Sequence, residues 1–468
     1  MKQKLSRRRF LQYTGIAASA TVLAACAPVP APSAPAAPAP TQAAAPTQAA
    51  APTAAAAAPS GTTMEAWTQM TDVAATSTKA IIDNYNAKNT KGNKVTFVYI
   101  AQTQGSQSDP KLLTAVAGGT PPAAYYADRF TVPQYAYQGF FQDITDQSKT
   151  AGVSADQYFP FAWQEATFKD KVYALPFDTD TRALWYNKDV VQKAGLDPEK
   201  PPQTLDDFKA WVDKLNVKGS NGTLTQFGWH PYYDQMWLYT WGFMFKGEFQ
   251  DATTKKITFA NPNNVKAMEY MKAWIPTWGV ENLDAMLSAC AGAACNGPND
   301  WFWTGQFATI CSGDWKVSQA KQFKPDGHYG VVPLPGPDGP APFASWAGGW
   351  SWAVPKGYKD VPNAFDFISY ICGPEGMLKY CKDTYHIPTN KIAAQDPYFS
   401  ADPLHKVFMD LLPVSHNRPP IPFGSQLWDL QVKALQDEIP HGTKTPLQAL
   451  TDIDTTINKS LQDAGFFS

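Results

Sequence analysis

The chain has few charged residues for its length. Of its 468 residues, 17% are Asp, Glu, Lys or Arg, against about 25% in an average soluble protein. Residues 1–26 hold five basic residues and no acidic one, so the rest of the chain has 34 basic against 41 acidic residues, a net charge of -7. This balance excludes a nucleic-acid binder that works through a general basic surface.

Arginine and histidine are scarce, and familiar catalytic motifs are missing. After residue 26 the only arginines are Arg129, Arg182 and Arg418, which argues against a highly anionic ligand. The six histidines lack metal-ligand spacing, so we expect a structural or surface role for each and no metal or cofactor. Asp178 and Asp180 leave open a secreted carbohydrate hydrolase, which needs two carboxylates across a sugar.

The apolar run near the N-terminus, Ile16–Ala25, is too short to span a bilayer. It follows paired arginines that resemble a twin-arginine export signal, and it ends in Leu-Ala-Ala-Cys, which resembles the bacterial lipoprotein processing box. Residues 1–26 are therefore expected to be a signal peptide. By that resemblance, Cys26 carries the lipid that anchors the protein to the outer face of the cytoplasmic membrane.

Residues 27–60 have no charge and almost no large apolar side chain. They contain 17 Ala and 9 Pro among 34 positions, and proline interrupts helices. We expect a disordered tether between the lipid and a folded body.

The body begins near residue 61 with alternating strand and helix patterns. Strands are predicted at 64–70, 94–100 and 123–127, and helices at 80–88, 111–117, 204–215, 265–278, 365–371, 425–439 and 446–460. Such alternation favours an α/β sheet, in which ligands bind beyond the carboxyl ends of strands. Asp128 lies at one such end. A β-rich cell-surface adhesin is disfavoured for the same reason.

Five segments, in order, resemble the sugar-binding extracellular solute-binding proteins of ABC importers, the maltose-binding-protein-like group. They are residues 111–122, 173–208, 305–315, 348–356 and 418–420. The resemblance implies a type II periplasmic-binding-protein-like fold, with two α/β lobes and the ligand in the cleft between them. It also implies partner permease subunits and a monomeric receptor.

The predicted lobes are interleaved along the chain. The matches place hinge crossings near 180–183, 329–332 and 369–373. One lobe is expected from 61–180 plus 331–370, and the other from 181–330 plus 371–468.

The predicted ligand contacts combine hydrogen-bonding charges with aromatic rings, as a sugar with hydroxyls and C–H faces requires. Asp178, Asp180 and Arg182 alternate, so they share one side of an extended segment. The full set is Asp128, Asp178, Asp180, Arg182, Asp314, Gly349 and Arg418, with rings from Trp237, Trp241, Trp303, Trp315 and Trp350. A polyol, a phosphorylated glycerol or a peptide remains an alternative ligand.

Disulfides are allowed outside the cytosol. Cys290 and Cys295 are close enough in sequence to close a small loop, and Cys372 and Cys381 flank a predicted helix. We expect these two pairs, with Cys311 left as a buried thiol.

Overall fold

The structure is a computed structural model that describes residues 61–101, 109–220, 224–291, 297–339 and 344–467. The predicted signal peptide, its lipidated Cys26 and the tether lie outside the described residues. None of the described helices is long and apolar enough to cross a membrane.

Sixteen strands are described, and half of them belong to the two largest sheets. They are β1 Thr63–Thr68, β2 Lys94–Tyr99, β3 Ala124–Asp128, β4 Thr167–Phe168, β5 Lys171–Val172, β6 Ala174–Pro176, β7 Asp178–Thr179, β8 Arg182–Asn187, β9 Val217–Lys218, β10 Leu224–Gln226, β11 Thr309–Gly313, β12 Tyr329–Val332, β13 Ser345–Trp346, β14 Trp350–Ala353, β15 Ile387–Pro388 and β16 Ser415–His416.

The larger sheet has the order β2-β1-β3-β14-β6. Strand β1 runs parallel to β2 and β3, while β14 is antiparallel to β3 and β6. The parallel part agrees with the alternation of strands and helices in the sequence. The smaller sheet has β8 at its centre, antiparallel to β11 and β12. Only five residues, which include β7, separate β6 from β8, so the chain passes from one sheet to the other through a short segment.

Helices cover both sheets. They are Asp72–Lys88, Pro110–Ala117, Val132–Tyr137, Thr145–Thr150, Pro160–Ala166, Lys188–Lys193, Leu205–Leu215, Leu238–Met244, Pro262–Lys272, Ile275–Trp278, Val280–Ala291, Lys316–Phe323, Val361–Ile371, Pro374–Thr384, Tyr398–Ala401, Pro403–Leu411, Gly424–Lys433 and Pro446–Asp463. The helix predicted at 265–278 is divided in two, and Pro276 is the second residue of the second piece, where a missing N–H is harmless.

Each sheet has its own apolar core. The larger sheet packs against Ile81, Ile82 and other buried side chains of the helix Asp72–Lys88. Side chains of Pro374–Thr384 join that same core, although the prediction assigned residues from 371 onward to the other lobe. The division into lobes stays a prediction, and this packing favours a later third crossing.

The cysteines correct one predicted pair. Cys372 and Cys381 are free and buried, so that disulfide is wrong: the two thiols lie within the core of the larger sheet. Cys311 is a buried free thiol, as predicted. Cys290 is disulfide-bonded, and its predicted partner Cys295 lies outside the described residues.

Candidate functional site

A cavity of about 230 Å³ lies between the larger sheet and the helix Lys316–Phe323. One wall comes from the segment after β1 and from β3 and β14, and the opposite wall from residues 315–323. Residues 380–386 form its base. The lining residues are Gln69, Met70, Thr71, Asp72, Val73, Ala74, Tyr126, Trp315, Ser318, Gln319, Gln322, Phe323, Trp350, Tyr380, Thr384 and His386.

Aromatic rings form much of the cavity wall. Trp350 stacks on Tyr126 with 4.7 Å between ring centroids and 7° between ring planes. His386 lies 5.9 Å from Tyr380, nearly parallel to it, and 5.9 Å from Trp315. Rings in such positions offer flat apolar faces that can cover the C–H surface of a ligand.

The remaining polar lining is almost uncharged. It consists mainly of amides and hydroxyls, which donate and accept hydrogen bonds. Apart from tyrosines, Asp72 and His386 are the ionisable side chains among the described lining residues, and no lysine or arginine is among them. The cavity therefore suits a polar ligand with little or no negative charge.

Asp178 holds two of the aromatic residues, Tyr126 and Trp350, from the side of the wall that faces away from the cavity. Its side chain is fully buried, and its Oδ2 accepts a hydrogen bond from the Tyr126 hydroxyl at 2.9 Å. Its Oδ1 accepts from the backbone N–H of Trp350 at 2.8 Å. Burial raises the pKa of this carboxyl. In this conformation Asp178 positions the cavity wall and does not line it.

Asp180 and Arg182 form a buried ion pair next to Asp178. The Asp180 carboxylate also accepts from the backbone N–H of Gly348 at 2.7 Å, and Arg182 Nη2 donates to Gln235 Oε1 at 3.2 Å. Burial, together with the charge of Arg418, lowers the pKa of Arg182 to about 9. The Arg182 guanidinium and Asp180 Oδ1 therefore already have protein partners in this conformation.

A row of rings and guanidinium groups leads away from the cavity. Arg182 lies 5.3 Å from the Trp315 ring and 3.9 Å from the Trp346 ring. Arg418 lies 5.2 Å from Trp346 and pairs with Asp128 at 2.6 Å. Asp128 and Arg418 are thus joined to each other, and Arg418 borders a second, larger cavity of about 860 Å³.

Gly349 has a steric role. Its φ of 129° is a conformation that favours glycine. A Cβ at this position would collide with the Arg129 guanidinium and with the backbone at Asp178 and Thr179. Arg129 in turn donates to the carbonyl oxygens of Asp178 and Gly348 and pairs with Glu165 at 3.0 Å.

Asp314 and His386 form a further buried pair. His386 Nδ1 lies 3.1 Å from Asp314 Oδ1, and Asp314 is completely buried. Asp314 therefore reaches the cavity only through His386.

Three predicted tryptophans lie away from the cavity. Trp241 is fully buried against Trp229 and Tyr270. Trp303 is buried beside Lys316, and Trp237 packs on Trp428 at 4.9 Å. Of the predicted ring contacts, Trp315 and Trp350 line the cavity.

The sequence analysis missed several lining residues. Gln69 and Asp72 follow the carboxyl end of β1, so the rule that pointed to Asp128 could have found them. Tyr126 lies in a strand that was treated only as sheet. His386 was assigned a structural or surface role, whereas it lines the cavity. No motif in the sequence marks its approach to Asp314.

A family comparison decides what kind of protein carries this site. The profile of the bacterial extracellular solute-binding proteins matches residues 80–407. The chain belongs to this family. Its members bind substrates in the extracellular space, and the two-lobed α/β fold class predicted from the sequence is confirmed.

Several similar proteins are solute-binding proteins by name. The maltooligosaccharide ABC transporter solute-binding lipoprotein of Streptococcus pneumoniae is 26% identical over 62% of this chain, and the match spans 66% of that relative, just under two thirds. The sn-glycerol-3-phosphate-binding periplasmic protein UgpB of Escherichia coli K12 is 23% identical over 86% of this chain and 92% of its own. The solved structure of CpMnBP1 with mannotriose bound superposes with a TM-score of 0.74, at 25% identity over 84% of this chain and 99% of that one.

Proposed function

We propose that this protein captures a short, neutral carbohydrate and delivers it to an ABC importer. The observation that carries this proposal is the cavity wall, which combines stacked rings with amides and hydroxyls and has no lysine or arginine among its described residues. Sugars need both kinds of contact, since each hydroxyl removed from water requires a new hydrogen-bond partner. Relatives and solved structures named for maltooligosaccharide and mannotriose binding support the same ligand class.

The size of the cavity favours a short ligand. Sites for drug-sized molecules occupy roughly 300–1,000 Å³, and this cavity has about 230 Å³. One or two sugar rings match this volume better than a long oligosaccharide does. The ligand is expected to draw the lobes together around residues 178–182, because it makes contacts with both walls at once.

A glycerol phosphate is the second candidate, since one relative is named for it. A phosphate group requires cationic or multiple N–H partners. The three buried arginines already bind carboxylates and carbonyl oxygens behind the cavity wall. The charge of the lining therefore favours a sugar over a phosphate ester, and over an anionic peptide for the same reason.

The roles of the predicted site residues follow from their positions. Trp315 and Trp350 bind the ligand directly. Asp178 holds Trp350 and Tyr126, Arg182 supports Trp315, and Asp314 supports His386. The ion pair of Asp128 and Arg418 joins the end of β3 to the segment after β16. Gly349, which has no side chain, leaves room for the Arg129 guanidinium. Trp237, Trp241 and Trp303 contribute packing.

Calorimetry with mannobiose, maltotriose and sn-glycerol 3-phosphate tests this function. We expect at least one sugar to bind and to raise the melting temperature, since a ligand specific for the folded state stabilises it. Binding of glycerol phosphate alone would contradict the proposal. Release of a smaller sugar during the experiment would instead indicate a hydrolase, which membership in a substrate-binding family disfavours.

The export and anchoring of the protein belong to the same proposal. The paired arginines, the apolar run and Cys26 occur in the order that a lipoprotein signal requires. A relative described as a lipoprotein supports this order. A lipid on Cys26 and a charge-free tether would keep the body close to the permease as a single copy.

A further inference from the structure

His386 differs from every other described residue of the cavity wall. It is the lining side chain whose ordinary pKa lies closest to neutral pH, so its charge changes in the physiological range. Its side chain is 13% exposed, and it is held on one side by Asp314. It therefore occupies a position where a ligand would meet it.

The pairing with Asp314 decides which ring nitrogen is available. An ionised carboxylate only accepts hydrogen bonds, so Nδ1 of His386 carries the hydrogen. Nε2 makes no hydrogen bond with any of the described residues. It accepts a hydrogen bond when the ring is neutral and donates one when the ring is charged. The protonation state of His386 thus reverses the hydrogen bond that it offers.

The charges around His386 favour the protonated ring. The carboxylates of Asp314 and Asp178 act on it, and Arg182 opposes them, while Tyr380 and Trp315 contribute ring faces. Arg182 is already paired with Asp180. Burial lowers the pKa of His386, but the hydrogen bond with Asp314 and the two carboxylates outweigh it, so the pKa is raised above its usual value. Asp314 Oδ2 has no hydrogen-bond partner among the described residues.

We propose that His386 binds the ligand through Nε2 as a charged donor, so that capture of the ligand takes up a proton. This inference rests on the proposed function, since it concerns the same cavity. Asp314 is the positioning residue in this arrangement, because it fixes the ring and its tautomer. A charged N–H donor makes a stronger hydrogen bond with a sugar oxygen than the neutral ring makes when its Nε2 accepts from a sugar hydroxyl.

Calorimetry near pH 5.5 and near pH 8 tests the inference, with whichever of mannobiose and maltotriose binds better. We expect binding about threefold to tenfold tighter at the lower pH. Proton uptake, measured in buffers of different ionisation enthalpy, should accompany it. His386→Gln, which keeps one acceptor and one donor but does not titrate, should bind equally at both pH values and release or take up no proton.

His328 offers a matched control. Its Nδ1 also lies 3.0 Å from a carboxylate, that of Asp189, but its side chain is 72% exposed and does not line this cavity. His328→Gln should keep the full pH dependence of the parent.

The outcomes separate this inference from the proposed function. Tight binding that is equal at both pH values, or a pH dependence that survives in His386→Gln, would overturn the role of His386 and leave sugar capture intact. Failure of every sugar at both pH values would overturn the proposed function. A histidine NMR titration of the ligand-free chain gives an independent measure: Asp314→Asn should lower the pKa of His386, and an unchanged pKa would contradict the positioning role of Asp314.

Discussion

Replacing Arg182 with methionine is expected to destabilise the protein much more than removing a charge from its surface. Arg182 and Asp180 are each about 6% exposed and are paired with each other. Methionine keeps the apolar stem of the side chain but removes the guanidinium. Asp180 then retains the Gly348 N–H and loses its counter-charge inside the protein.

The expected loss follows from burial. Removing one partner of a buried ion pair leaves an uncompensated charge and costs about 3–5 kcal/mol in the free energy of unfolding. The double variant Asp180→Asn with Arg182→Met should lose less than the two single variants combined, since neither charge remains. By contrast, the exposed pair Lys209–Asp213 is worth about 0.5 kcal/mol or less, so Lys209→Met serves as the control.

Urea unfolding followed by tryptophan fluorescence measures these differences. The decisive quantities are the free energies of unfolding of the parent, the two single variants, the double variant and the control. A loss in Arg182→Met no greater than that in Lys209→Met would refute the reasoning. So would strictly additive effects of the two substitutions in the buried pair, because additivity means that the groups do not interact.

Three further predictions concern binding, pH and export. Trp350→Ala should weaken binding of the best sugar by about 1–2 kcal/mol through lost ring contact, whereas Trp163→Ala, outside the cavity, should bind as the parent does in the same calorimetry. Burial raises the pKa of Asp454 to about 6, so the folded state binds the proton more tightly than the unfolded state. The free energy of unfolding should therefore fall as pH rises from about 4 to about 6. Urea unfolding at several pH values measures this dependence, and Asp454→Asn should flatten it in that pH range. Cys26→Ala should leave the precursor unprocessed, and a normal lipidated mature form in mass spectrometry would contradict the anchor.

Local patterns predicted the elements that depend on local chemistry. Strand β2 was expected at 94–100 and lies at Lys94–Tyr99, because alternating Val, Phe and Tyr suit a pleated surface. The helix expected to start at Thr204 is capped by the Thr204 side chain, which accepts from the Asp207 N–H. The helix predicted at 80–88 begins earlier, at Asp72. The prediction missed its first turns because they carry small residues without a clear apolar period.

The site was harder to predict, because its members meet only in the folded chain. Asp178 and Arg182 were expected to touch ligand. Instead, Asp178 binds the distant Tyr126, while Arg182 contacts the distant Trp346 and pairs with Asp180, two residues before it. Composition could not distinguish the tryptophans either, since Trp241 and Trp350 both stand next to a glycine, Gly242 and Gly349. The difference is that Trp241 belongs to a helix inside the core, while Trp350 is the half-buried first residue of strand β14.

The way Trp350 is attached to the sheet has a consequence for how the ligand specificity of such a receptor can change. Its backbone N–H is bound by Asp178, and its backbone pairs with β3, so the main chain is held without help from the indole. The ring, stacked on Tyr126, is an independent addition to that anchored backbone. A single codon at this position can therefore exchange the surface offered to a ligand while the sheet beneath it persists, which makes residue 350 a natural point for divergence of ligand preference and for laboratory redesign.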